Sequence, residues 1–205
     1  PSFGEGDVVK VKVDETRRKI LTQHHSATHI VNAAARDYLG SHINQAGAKK
    51  NLSKAHLDIT HFDSLSDQEL REIEKIANDF VENGIQASNR FMTRTSAEQE
   101  YGMRLYQGGA VPGTQIRIVE YPGVEVEACG GTHVNNTSEV GRIKIIKAQK
   151  IQDGIVRLTF TAGKTTELLL QKFESIRKEL ANILETGENK VYARALELVE
   201  KWKAL

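Results

Sequence analysis

Apolar and polar positions alternate first near the start of the chain, where Val9, Val11 and Val13 are separated by Lys10 and Lys12. That period of two is the mark of a half-buried strand. Asp14 then offers an N-cap side chain, and a long helix is predicted to run to about Leu39, with Gly40 as its stop. From 41 to 62 the pattern turns to loops and strands, and the alternation over 57–61 predicts a strand. Ser66-Asp67-Gln68-Glu69 reads as a capping box, followed by Leu70, Ile73, Ile76, Ala77 and Phe80 at helical spacing and ended by Asn83-Gly84. Residues 85–92 read as another strand and 95–101 as a short helix closed by Gly102. Two strands, 114–121 and 124–127, flank the Pro122-Gly123 turn, and 141–151 with 155–161 form a hairpin over Asp153-Gly154. The order of elements predicts an α+β fold, a mostly antiparallel sheet with helices packed on it.

After Gly163 the period changes. Leu169, Phe173, Ile176, Leu180 and Ile183 recur at alternating fours and threes, and past Thr186-Gly187 so do Val191, Ala195, Leu198, Trp202 and Leu205. Two heptad-like helices joined by a short turn predict a helical hairpin. It is expected either to form the last helical layer of the domain or to lead into a further C-terminal part.

Composition narrows the classes. The 205 residues carry a formal net charge of only +1, so no global polybasic character points to nucleic acid. Local basic clusters stand out instead: Arg17-Arg18-Lys19, Lys49-Lys50 with Lys54, and Arg142, Lys144, Lys147 and Lys150. Each reads either as a solvated face or as a phosphate contact. The single cysteine excludes an internal disulfide framework and suits a reducing cytosol. The chain shows no apolar run of membrane-spanning length and no signal-peptide pattern, which predicts a cytoplasmic protein with no membrane partner.

The chemistry lies in two short stretches a hundred residues apart, His25-Ser26-Ala27-Thr28-His29 and Cys129-Gly130-Gly131-Thr132-His133. Histidines four apart on a helix share one face, so both imidazoles can reach one ion. Cys129 and His133 have the same spacing, but the two glycines between them suit a tight loop. A lone pair of either kind is weak evidence for a metal, and a free cysteine is often a buried apolar residue. The conjunction is stronger, because the only cysteine stands four residues before a histidine in a Gly-Gly loop. One thiolate with three imidazoles suits Zn2+. His24, one position from His25, is expected at the surface.

These motifs resemble the editing domain of alanyl-tRNA synthetase. The resemblance extends from Gly6-Asp7-Val8-Val9 through Val13-Asp14-Glu15-Thr16-Arg17-Arg18, and over Leu39-Gly40-Ser41-His42-Ile43-Asn44-Gln45-Ala46-Gly47. The stretch Arg104-Leu105-Tyr106-Gln107-Gly108-Gly109-Ala110-Val111-Pro112-Gly113 is similar to the archaeal branch. The related threonyl domain shares the skeleton but typically has proline before the last histidine, where this chain has Thr132. The resemblance implies three parts: 1–14 as the tail of a small β-barrel segment, 15–163 as the editing domain, and 164–205 as the helical hairpin. Relatives carry a Gly-Gly-Gln loop in the barrel upstream of the histidine helix. None is found here, so the chain reads as a region of a longer synthetase.

What the resemblance implies chemically is hydrolysis of seryl and glycyl esters of alanine-specific tRNA, within a parent enzyme that attaches alanine using ATP. A pocket that accepts alanine cannot sterically exclude glycine and rejects serine only weakly, so a second sieve is needed. The expected chemistry is metal-assisted attack of water at His25, His29, Cys129 and His133. Four protein ligands close a tetrahedron, however. One ligand is then loosely held, or zinc becomes five-coordinate, or zinc holds substrate while a neighbour positions the water. Gln45, matching the family's glutamine, and Thr28 are expected near the amino acid; Thr28 also suits the core. Gly130 and Gly131 either let backbone approach the ester or make the turn that aims Cys129 and His133. Asp58 and His61 are candidates for orienting a ligand imidazole, or ordinary strand positions. Arg17, Arg18, Lys49, Lys50 and Lys54 are the expected phosphate contacts to the tRNA acceptor end. A homodimer through the C-terminal part of the parent chain is a further expectation.

Two other readings stand beside this one. A free-standing hydrolase acting on mischarged tRNA in trans would share the chemistry. A structural zinc cluster in a nucleic-acid-binding or dimerising module would explain the closed ligand set and the heptads. The long separation of the two ligand pairs argues against the second. Nothing in the chain resembles an amino-acid-activating site.

Overall fold

The computed structural model describes residues 3–109 and 111–204. Pro1 of the expected barrel tail, Ala110 of the glycine-rich stretch and Leu205 of the last heptad lie outside the described residues. By contacts the chain divides into two compact units, Pro1–Gly163 and Lys164–Leu205.

The first unit begins with helix α1, Glu15–Leu39, whose N-cap Asp14 accepts a hydrogen bond from Arg17 N and whose C-cap is Gly40 at φ +113°. Strands β1, Gln45–Lys50, and β2, Ala55–Thr60, follow, then helix α2, Asp67–Glu82, behind the Ser66/Glu69 capping box. Strand β3, Ser88–Thr93, leads into helix α3, Arg94–Tyr101, and a 3₁₀ turn, Gly102–Leu105. Strands β4, Gln115–Tyr121, and β5, Glu125–Ala128, precede a second 3₁₀ turn, Thr137–Val140, and the hairpin of β6, Ile143–Gln152, and β7, Ile155–Ala162.

All strand pairs are antiparallel, but they form two sheets rather than one: β1-β2-β7-β6 and β3-β4-β5. The larger core brings Ala27, Ile30, Val31 and Ala34 of α1 and Ile73 and Ala77 of α2 together with Leu57, Ile59, Leu158 and Phe160 of the four-stranded sheet. A smaller core of Ala97, Leu105, Ile116, Ile118 and Val126 lies at the three-stranded sheet. The expected α+β architecture is what forms.

Helix α1 departs from the one-sided pattern of a surface helix. From Gln23 to Ala35 every residue but His25 is buried, so the helix is enclosed on several sides. His24, expected at the surface, is therefore 0% exposed, with its Nδ1 2.8 Å from the carbonyl oxygen of Asn51. Burial lowers its pKa, and the Asn51 hydrogen bond opposes that shift.

The strand expected over Val9, Val11 and Val13 does not form, and those side chains are exposed. An extended segment needs a partner for its backbone donors and acceptors. No described strand pairs with it. The strand expected at 85–92 begins three residues later, at Ser88, and only Gln86 makes an isolated bridge, to Asn136.

The second unit contains helix α4, Lys164–Ile183, a 3₁₀ turn, Glu188–Lys190, and helix α5, Val191–Lys203, in contact with each other as a helical pair. Arg177 ties α4 to the turn through Glu188 at 3.1 Å. Several heptad positions, including Phe173, Ile176, Ile183 and Trp202, remain exposed.

Candidate metal centre

Helix α1 carries His25 and His29 one turn apart, and β5 ends at Ala128, directly before Cys129. The structure brings His25, His29, Cys129 and His133 together, with one donor atom from each lying within 4.8 Å of all the others. Sγ of Cys129 is 3.4 Å from Nε2 of His25 and 3.3 Å from Nε2 of His133. Metal–ligand bonds of zinc length at tetrahedral angles place donor atoms about 3.3–3.6 Å apart. The two distances from Cys129 and the donor chemistry fit a tetrahedral, borderline-soft ion, whereas the group as a whole spans up to 4.8 Å, wider than such an edge.

Each donor is aimed by a neighbour. Nδ1 of His29 stands 3.0 Å from Oε2 of Glu127, with both side chains almost fully buried. The backbone of Thr132 hydrogen-bonds to His25, and that of Gly131 to Cys129. Ser26 Oγ accepts hydrogen bonds from Val134 N at 3.1 Å and Tyr121 OH at 3.0 Å, and stands 3.4 Å from His133 Nδ1. Arg117 on β4 clamps the Gly-Gly loop, donating from Nη1 to the carbonyls of Cys129 at 3.0 Å and Gly131 at 2.8 Å. Its Nη2 donates to Asn89 Oδ1 at 2.8 Å. Gly131 is forced by space, since a Cβ there would overlap the His25 ring, whereas a Cβ on Gly130 would meet nothing within 4 Å.

Strand β5 sets the distance between the two ligand pairs. Its four residues are all buried, and the alternate acids Glu125 and Glu127 both reach α1. Glu127 meets His29, while Glu125 accepts from Asn32 Nδ2 at 3.1 Å and from Arg36 Nη1 at 2.9 Å. Burial and the Glu127 charge raise the Glu125 pKa, and Arg36 works against them.

The electrostatics separate the histidines. Burial, the His29 charge and Lys50 lower His25 to about 3. Burial also depresses His133, helped by His29, His25 and Arg117. Burial would lower His29 too, but the Glu127 carboxylate and Cys129 outweigh it and raise it to about 9. Burial pushes the Cys129 thiol up, yet its hydrogen bond to His29 and the charge there bring it below its ordinary value.

The other expected residues are distributed differently. Gln45 is 7% exposed and donates from Nε2 to Gln107 Oε1 at 3.1 Å; Gln107 Nε2 in turn lies 3.4 Å from His29 Nε2. Thr28 is fully buried and donates its hydroxyl to the carbonyl of His24 at 2.8 Å, within its own helix. Asp58 does not orient a ligand: it binds Arg157 at 2.7 and 2.8 Å. His61 instead pairs with His42, ring nitrogens 2.9 Å apart. Arg17, Arg18, Lys49 and Lys54 are exposed, while Lys50 is half-buried and within electrostatic reach of His25, Cys129 and Glu127. A cleft of about 300 Å³ is lined by Lys19, Thr22, Gln23 and His133 among others. Another of about 580 Å³ is lined by Asn44, Gln45, Arg94, Arg104 and Tyr106 among others.

Glu127, Arg117, Ser26 and Gln107 escaped the sequence reading. The acid at every second position of β5 was a signal that two carboxylates share a face, but not that the face meets α1.

Fold and site together define an α+β domain with a His/His/Cys/His centre built between a buried helix and a Gly-Gly loop. Residues 116–159 match the family described as the threonyl and alanyl tRNA synthetase second additional domain. Over 201 residues the chain is 51% identical to the alanine–tRNA ligase of Methanocella arvoryzae, covering 97% of this chain and 23% of that protein. It is 44% identical over 201 residues to the enzyme of Methanococcus vannielii, covering 98% of this chain and 22% of the relative. The Methanobrevibacter smithii enzyme is 43% identical over 199 residues, at 97% and 22% coverage. The chain therefore spans less than a quarter of the length of these relatives. It is thus similar to a region of alanine–tRNA ligases that includes the second additional domain.

Proposed function

We propose that this region hydrolyses the ester linking serine, and also glycine, to the 3′ end of alanine-specific tRNA, within a longer alanine–tRNA ligase. The observation that carries the reading is the convergence of four donor atoms within 4.8 Å in a chain that matches alanine–tRNA ligases over 97% of its length. His25, His29, Cys129 and His133 would hold zinc, and Glu127 at 3.0 Å from His29 Nδ1 supports a metal-binding tautomer of that ring. When bound there, zinc supplies Lewis acidity and positive charge to an ester carbonyl.

The chain's own residues do the rest. Glu127, Ser26 and the backbone of Thr132 hold the imidazoles in orientation, and Arg117 fixes the loop that presents Cys129. Gln45, buried beside Gln107, supplies amide groups that a substrate hydroxyl can pair with. Exposed Arg17, Arg18, Lys49 and Lys54 offer phosphate contacts to the tRNA acceptor end, and Lys50 adds positive charge next to the centre itself. Among the described residues no helix is long and apolar enough to cross a membrane.

The test is deacylation of seryl-, glycyl- and alanyl-tRNA by the chain and by Cys129→Ala. Hydrolysis of the seryl and glycyl esters that disappears in the variant supports the reading. Unchanged hydrolysis in Cys129→Ala would show that the chemistry does not depend on this centre.

A further inference from the structure

The side chain of Gln107 joins two features that are otherwise 16 residues apart in sequence, His29 on α1 and Gln45 on β1. Its position is held firmly from both sides. Gly108, at φ +72°, presses so closely on β1 that a Cβ would come within 2.5 Å of the Ala46 carbonyl oxygen. Arg94 anchors the same loop by donating to Tyr106 OH at 3.0 Å, to the carbonyl of Gly113 at 2.9 Å, and to that of Val111. Gln107 is thus delivered to the centre by backbone packing rather than by a free loop.

The direction of the hydrogen bonds can be followed outward. The Glu127 carboxylate stands 3.0 Å from Nδ1 of His29, and in a neutral ring that ligates a metal through Nε2 the lone pair is on Nε2 and the proton on Nδ1. Nε2 of Gln107 lies 3.4 Å from that lone pair, and Oε1 of Gln107 accepts from Gln45 Nε2. Oε1 of Gln45 is buried and has no hydrogen-bond partner. Once a metal occupies the lone pair of His29, the Gln107 amide N–H also lacks an acceptor there. One donor and one buried acceptor then stand open in the same side-chain pair. A hydroxyl is both donor and acceptor.

We infer that Gln107 and Gln45 form a two-amide reader of the substrate's β-hydroxyl, Gln107 donating to it and Gln45 accepting from it, with Gln107 made available when His29 is committed to metal. This assignment rests on the hydrolytic reading above and names the residue that gives it selectivity. An alanyl or glycyl group leaves both amides unsatisfied, and sites built to pair with a hydroxyl reject an analogue that lacks it, so this pair favours seryl over alanyl and, equally, over glycyl esters.

Binding of 3′-seryl- and 3′-alanyl-amido adenosine, which cannot be hydrolysed, tests the assignment, with zinc affinity measured in parallel by chelator competition. The wild-type chain is expected to prefer the seryl compound. Gln107→Leu and the isosteric Gln107→Glu, which keeps the size but removes the N–H, are expected to cut that preference roughly 10- to 100-fold. Zinc affinity should change less than about threefold, because Gln107 is no ligand. A preference that survives in both variants overturns the assignment. A preference lost together with zinc affinity also overturns it, since Gln107 would then only support His29. If the wild type shows no seryl preference and hydrolyses no ester, the hydrolytic reading itself fails; a wild type that hydrolyses seryl ester without amide preference sinks the reader alone.

Discussion

The carboxylate of Glu127 stands 3.0 Å from Nδ1 of His29, and both groups are almost fully buried. One residue pair thereby joins the strand that leads to Cys129 to the helix that carries His25 and His29, two other candidate ligands. Outer partners of this kind orient an imidazole and raise its basicity. Glu127→Gln is expected to weaken zinc binding about 10- to 100-fold in chelator competition, with the ion still bound at one per chain. An unchanged affinity would mean that the pair serves packing alone.

The same pair gives the metal-free chain a pH dependence. His29 is raised to about 9, despite burial that alone would lower it, chiefly by Glu127. A raised folded-state pKa contributes stability that is fully present below about 6.5 and is lost as pH rises through about 9. Denaturant unfolding of the chelated chain should therefore show falling stability across that window, and Glu127→Gln should flatten the slope. An equal slope in both proteins would assign the effect to another group.

Gly131 and Gly130 separate steric from conformational demands within one loop. A Cβ on Gly131 overlaps the His25 ring, while one on Gly130 meets nothing within 4 Å. Gly131→Ala is expected to abolish stoichiometric zinc binding, and Gly130→Ala to retain it, measured by metal content after gel filtration. Equal zinc retention in both would contradict the close approach at His25.

Arg117 bridges the carbonyls of Cys129 and Gly131 and the side chain of Asn89. Hydrogen bonds from a charged donor contribute about 1.5–3 kcal/mol each, and more than one is lost here. Arg117→Met should lower stability by about 3 kcal/mol or more and reduce zinc affinity, and Arg117→Lys should not restore both, because a point charge cannot reproduce the planar fork. Full zinc affinity in Arg117→Met would show that the Gly-Gly loop holds its shape unaided.

Local signals made much of this fold readable in the sequence. Asp14, the Ser66/Glu69 box, Pro122-Gly123 and Asp153-Gly154 each act within a few residues of themselves, and the elements they bound are found there. The two pairs that converge, His25/His29 and Cys129/His133, were readable for the same reason, since each spacing is local. What depended on distant neighbours was not. His24 was misjudged because the burial of α1 on several sides is a property of the packed sheet and second helix, not of its own periodicity. The Val9–Val11–Val13 alternation needed a partner strand that no described residue supplies. Asp58 and His61 had suitable chemistry, but their strand positions direct them to Arg157 and His42. Glu127, two residues from Cys129, and Gln107, 62 residues from Gln45, meet His29 and Gln45 only through tertiary contact.

Among the basic residues, Lys49 is exposed while Lys50 is half-buried against the centre. Lys49→Gln is expected to weaken tRNA binding and reduce the slope of log affinity against log salt by about 0.7–0.9. Lys50→Gln should instead lower the rate of ester hydrolysis more than the salt slope. Identical behaviour of the two variants in filter binding and deacylation would contradict this division.

The most direct measurement is hydrolysis of seryl-tRNA and alanyl-tRNA by the chain before and after chelation, with zinc content determined on the same samples. The expected result is about one zinc per chain, hydrolysis of the seryl ester in preference to the alanyl ester, and loss of that activity on chelation with recovery on adding zinc. One zinc per chain with no hydrolysis of either ester, or seryl hydrolysis that persists after the zinc is removed, would contradict a metal-dependent second sieve at His25, His29, Cys129 and His133.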